Sequence, residues 1–107
     1  MNGWLYLALA IGTEIIGSTG LKYSKGFSVF LPSVIVVIGY SVSFYFFSLA
    51  LKTIHLNTAY AIWSGLGTAL IAILGWLLLS ESMSLLKAAG ICLVIVGVIV
   101  INLAGEH

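Results

Sequence analysis

The sequence predicts an all-α integral membrane protein built from four transmembrane helices, and two observations carry this. Of the 107 residues, 62% are hydrophobic and only 7% are charged. An ordinary soluble domain carries about 25% charged residues, so this chain has far too little polar surface to face water. The second observation is where the charges sit. Apart from Glu14, residues 1–21 carry no charged side chain, and residues 26–51, 53–80 and 88–105 carry none, with His55 counted neutral. A spanning helix needs about 20 predominantly apolar residues, so each interval holds one helix with almost nothing left over. Membrane-barrel strands would need about ten alternating residues each, and no such alternation appears.

The first helix is expected over residues 3–21, ending at "KYSKGFS". It lacks a basic leader and carries a carboxylate inside its apolar stretch, so it reads as a span and not as a signal peptide. The second is expected over 32–51, with Pro32 in its first turn, where a missing N–H costs little. "KTIHLNT" leads to the third, 57–79, with Asn57 or Thr58 as its cap; "SESMS" leads to the fourth, 85–103, capped by Ser84. Loops this short impose an up-down-up-down order, so residues 1–107 are expected to form a single four-helix transmembrane domain. Cys92 is the only cysteine, which excludes an intramolecular disulfide; its apolar setting suits plain helix packing.

In that order Lys22, Lys25 and Lys87 face one side of the membrane and Lys52 the other. Orientation follows such a bias, and here the bias is weak. Either the three lysines are cytoplasmic or the chain inserts both ways. Four helices also leave little interior for a pathway, so transport would require an oligomer, most simply a dimer. Two oppositely inserted copies would make an intermolecular version of the inverted repeats of larger transporters.

Glu14 is the residue that needs explaining. At 1.5 Å per residue from Gly3 it lies about 16 Å along its helix, near the middle of a roughly 30 Å hydrocarbon core. An ionised acid there costs about 2.5–3.5 kcal/mol. A proton or a bound cation relieves that cost, and a carboxyl so placed can exchange one for the other. The alternative is a protonated glutamate making one helix–helix hydrogen bond. Leu7, Ala10, Ile11, Gly17, Ser18 and Leu21 lie at helical offsets from it. Small side chains at 10, 17 and 18 either leave space beside the carboxyl or simply let helices pack closely.

Tyr40, Ser43, Phe44 and Phe47 share a face of the second helix by spacing, as Tyr60, Trp63 and Gly67 do on the third. Aromatic rings near a carboxylate suit organic cations. Trp4, Tyr6 and Trp76 fit interfacial or lipid-facing positions better. Gly65 and Gly67 weaken the third helix at its middle and make a candidate hinge. Gly90, Leu93, Val94, Gly97 and Ile101 form a stripe on the fourth, a candidate oligomer contact. No pair of metal ligands sits in a span, and there is no phosphate-binding glycine loop and no nucleophile–base pair. No enzyme activity, metal, cofactor or nucleic-acid partner is therefore expected.

Glu14 in the first helix, "LKYSKGF" after it, "YAIWSGLG" in the third and the Gly90/Gly97 stripe together resemble the small multidrug resistance family over essentially the whole chain. The resemblance implies an antiparallel, dual-topology homodimer in the bacterial inner (plasma) membrane. It implies export of lipophilic organic cations in exchange for protons, with Glu14 of both subunits binding each in turn. By the same likeness Ala10, Ile11, Gly17, Ser18, Tyr40, Ser43, Phe44, Tyr60 and Trp63 line the substrate pocket. Gly65 and Gly67 match the hinge, and Gly90 to Ile101 the dimer contact. Ala10, Ile16, Tyr40 and Ser43 resemble the quaternary-ammonium branch, while "GLKY" after Thr19 keeps the guanidinium-exporting branch as an alternative. A non-transporting membrane subunit or an uncoupled cation pore is the alternative of another class.

Overall fold

A computed structural model describes residues 2–104. It contains α1 (Gly3–Tyr23), α2 (Phe30–Ala50), α3 (Leu56–Leu78) and α4 (Leu85–Ala104), with no strand among the described residues. All four are long and apolar enough to cross a membrane. Each end lies within two residues of the expected one. The chain divides between Ile54 and His55 into two compact units, each an α-hairpin.

The first hairpin opens on Asn2, whose side chain accepts the Leu5 N–H at 2.9 Å, satisfying a donor that the first helical turn leaves unpaired. Its turn is organised by Ser24, which is 0% exposed. The Ser24 hydroxyl donates to the Leu21 carbonyl at 2.8 Å and accepts the Phe27 N–H at 3.2 Å. The Ser24 carbonyl accepts the N–H groups of Ser28 and Val29 at 2.8 and 3.0 Å. Between these anchors Lys25, Gly26 and Phe27 all take positive φ, at 49°, 72° and 67°. Only the glycine does so without steric cost; the bonds to Ser24 hold the other two. Pro32 falls in the first turn of α2, as expected.

Buried residues on α1 (Gly3, Leu7, Ala10, Ile11, Gly17, Gly20) mark one face at helical spacing, and those on α2 (Val36, Gly39, Ser43, Phe47, Ala50) follow steps of three and four. The helices run antiparallel. Gly3 lies against Thr53 and Ile54, Tyr6 stacks on Phe46 with ring centroids 6.1 Å apart, and Gly20 meets Pro32 and Ile35. Lipid is as apolar as leucine, so helix association in it depends on close van der Waals contact and interhelical hydrogen bonds, and small residues supply the closeness.

In the second hairpin α3 starts earlier than expected. His55 holds the N-cap position and its carbonyl accepts the Ala59 N–H at 2.9 Å. Asn57 and Thr58, expected to cap the helix, are therefore already inside its first turn. Ser84 does cap α4, accepting the Lys87 N–H on its hydroxyl at 3.0 Å. The Gly75 carbonyl accepts from both Leu79 and Glu81, at 3.1 and 3.0 Å, closing α3. A Cβ on Gly75 would run into the Glu81 carboxylate. The helix passes unbroken through Gly65 and Gly67, and a Cβ on Gly65 would sit 3.0 Å from Val98 of α4. Among the described residues none of α4 is buried, and Leu93 is 73% exposed.

Candidate functional site: a carboxylate held inside the first span

Glu14 lies half-buried near the middle of α1. One turn on, the Ser18 hydroxyl donates to Glu14 Oε1 at 2.8 Å and lies 2.7 Å from Tyr40 Oη of α2. A serine hydroxyl carries a single proton. With that proton given to Glu14, Tyr40 is the donor to Ser18, so the three groups form one directed chain from Tyr40 through Ser18 to Oε1. The other oxygen, Oε2, is shielded and has no hydrogen-bond partner. Leaving a buried polar atom unsatisfied costs about 1–3 kcal/mol, more when it is charged; a proton or a cation at Oε2 removes that cost.

Two glycines make the chain possible. A Cβ on Gly39 would come within 2.9 Å of Gly17 Cα, so the backbones of α1 and α2 meet here. A Cβ on Gly17 would lie 3.3 Å from the Tyr40 nitrogen and 3.5 Å from its ring. The ring thus lies across Gly17 with its hydroxyl at Ser18. Of Gly17 and Ser18, both expected as pocket residues, one lies under the tyrosine ring and the other bonds its hydroxyl.

Ala10 and Ser43 are also brought together, but by a bond between helices. Ser43 is 0% exposed and its hydroxyl donates to the Ala10 carbonyl at 2.6 Å. Ile11, next to Ala10 in the chain, is buried as well. Phe44 shares a face with Tyr40 by spacing, yet it is 57% exposed. The buried stripe of α2 runs through Gly39, Ser43 and Phe47, and Phe44 is turned off it. In the second hairpin Tyr60 and Trp63 meet edge to face, ring centroids 5.6 Å apart at 76°.

An apolar groove of about 240 Å³ on the first hairpin is lined by Thr13, Ile16, Ile35, Ile38, Gly39 and Val42. Ile16 lies about 200° around α1 from Glu14, and the Thr13 hydroxyl is returned to the Leu9 carbonyl at 2.8 Å. That groove offers a cation nothing. Sequence reasoning missed Gly39; the signal available was a second glycine within three turns of the α1–α2 turn, able to face Gly17.

A family model described as Small Multidrug Resistance protein matches residues 2–94. The chain belongs to this family. It is 52% identical over 107 residues to the multidrug resistance protein EbrB of Bacillus subtilis, covering 100% of this chain and 92% of that one. It is 46% identical over 106 residues to the quaternary ammonium compound-resistance protein QacE of Escherichia coli, covering 99% and 96%. With the corresponding QacF of Klebsiella aerogenes it shares 44% over 106 residues, covering 99% and 96%. As a small multidrug resistance protein with four spans, it is a multi-pass protein of the bacterial inner (plasma) membrane.

Proposed function

We propose that this chain exports hydrophobic and quaternary ammonium cations in exchange for protons, with Glu14 as the seat that each occupies in turn. The observation that carries this reading is the shielded, unpartnered Oε2 of a carboxyl inside a membrane span. The names of its relatives, multidrug and quaternary ammonium resistance proteins, support the substrate class. Tyr60 and Trp63 provide aromatic walls, with Gly65 and Gly67 as the bend that alternating access requires. The unit is an antiparallel homodimer, in which two Glu14 side chains face one cavity.

Proteoliposomes loaded with tetraphenylphosphonium test the reading. Outward flow of the cation is expected to draw protons inward and acidify the lumen, as an internal dye would report. Cation flow without acidification would indicate an uncoupled pore, and flow of neither a non-transporting subunit. Acidification driven by guanidinium alone would place the chain in the guanidinium-exporting branch.

The dimer contact is proposed on α4. Nothing lies within 4 Å of a Cβ built on Gly90 or Gly97, yet glycine costs a helix about 1 kcal/mol relative to alanine. One chain gives these glycines no reason to be there; a second chain packed on Gly90, Leu93, Val94, Gly97 and Ile101 does. Gly97→Val is therefore expected to leave helical content unchanged while weakening dimerisation. Overpacking of about 1–3 kcal/mol translates to roughly 5- to 150-fold, readable as mass by light scattering in detergent. A dimer that persists undiminished would remove the stripe from the interface.

A further inference from the structure

We infer that Ser18, backed by Tyr40, is a positioning residue that occupies one oxygen of Glu14 and leaves the other as the single seat for proton or cation. The inference rests on the shared-seat reading above. Its ground is a departure from what most of the bonded hydroxyls elsewhere in these helices do, Ser43 with its bond to the Ala10 carbonyl being a second exception. A serine or threonine inside a helix commonly returns its hydroxyl to a carbonyl three or four residues back. Thr13, Ser33, Ser48 and Ser64 all do so, to Leu9, Val29, Tyr45 and Tyr60, at 2.8, 2.5, 2.6 and 2.7 Å. Ser18 instead turns onto the carboxyl of Glu14, and Tyr40 reaches across from α2 to bond it there.

The consequence is an asymmetric carboxyl. Oε1 accepts from a donor that is itself held by a donor, while Oε2 is shielded and unpartnered. A hydrogen bond to an ionised oxygen is about twice as strong as one to a neutral oxygen, so removing the Ser18 donor costs a cation-bound carboxylate more than a protonated carboxyl. Tyr40 is the titratable group that α2 brings to this carboxyl; along α1 itself the nearest are Tyr6 and Lys22, each eight residues away. Tyr40 acts on Glu14 through Ser18, and its removal weakens the Ser18 bond without abolishing it.

The test is tetraphenylphosphonium binding to the purified full-length protein from about pH 5.5 to 9, read as the pH at which half the binding is lost. Ser18→Ala takes away a donor that stabilises the ionised carboxyl, so protons compete better and the midpoint moves up, by about one pH unit. Ser18→Thr restores the hydroxyl and the wild-type midpoint. Tyr40→Phe moves it in the same direction by less. Because Tyr40 works through Ser18, the double variant matches Ser18→Ala alone, a non-additivity that independent contacts would not give.

An unmoved midpoint in Ser18→Ala overturns the inference, as does binding weakened by one factor at every pH, which is what lost packing would produce. Additive effects of the two substitutions would mean that Tyr40 touches the cation directly, and would overturn the chain. If Ser18→Ala does not fold, Tyr40→Phe decides alone: an upward shift supports the chain and an unmoved midpoint overturns it. Wild-type binding indifferent to pH would overturn the shared seat and the inference together, whereas normal wild-type titration with unmoved variants overturns only the inference.

Discussion

Glu14→Gln is expected to lower tetraphenylphosphonium binding, at every pH, to the level that a protonated wild type shows, and with it to end cation-driven proton movement. Glutamine keeps the size of the side chain and keeps an acceptor for the Ser18 hydroxyl, so the Tyr40–Ser18 arrangement and the α1–α2 contact have no reason to change. What goes is the charge. Truncating one partner of a buried charge pair costs about 2–5 kcal/mol, or roughly 30- to 4,000-fold in affinity. The loss is largest at high pH, where the wild-type carboxyl is ionised, and small at low pH, where a proton already fills the seat. Glu14→Gln should therefore behave at pH 9 as wild type does when fully protonated. Equilibrium binding of radiolabelled cation measures this directly. A Glu14→Gln variant that still exports cation against a gradient would sink the proposed mechanism.

The four spans were legible because seven formal charges among 107 residues leave intervals of membrane length, a constraint imposed by the bilayer and independent of tertiary detail. Glu14 was legible for the same reason: a carboxyl within such an interval stands out by its cost. What one helix presents to another was harder to read. Spacing grouped Phe44 with Tyr40 and Ser43, but the register of α2 on α1 is set by backbone contact at Gly17 and Gly39, and that register turns Phe44 outward. Spacing alone did not announce the bond that Ser43 makes to the Ala10 carbonyl, a tie between the two helices. No sequence pattern announces Ser24, whose hydroxyl and carbonyl together hold three left-handed residues. The cap of α3 was missed by two residues or more because asparagine and threonine outrank histidine as caps, while the backbone of His55 already starts the helix.

Gly39→Ala is expected to be the most damaging of the single-methyl changes in the first hairpin. The added carbon would meet Gly17 Cα at 2.9 Å, Gly17 N at 3.0 Å and the Thr13 carbonyl oxygen at 3.1 Å. All three are backbone atoms of a helix, so no rotamer change relieves the contact and α1 and α2 must separate. Overpacking costs about 1–3 kcal/mol, and the intrinsic helix preference of alanine returns about 1, leaving a net loss of up to about 2 kcal/mol. Gly12→Ala is the matched control. Nothing lies within 4 Å of a Cβ there and the residue is exposed, so it should stabilise by about 0.4–1 kcal/mol. Unfolding in detergent followed by circular dichroism separates the two. Separation of the helices also draws Tyr40 away from Ser18, so Gly39→Ala should raise the half-binding pH as Tyr40→Phe does, although residue 39 touches neither proton nor cation. A Gly39→Ala protein as stable as Gly12→Ala would mean that the two backbones do not meet at this level, and Tyr40 would then have no fixed route to the Ser18 hydroxyl.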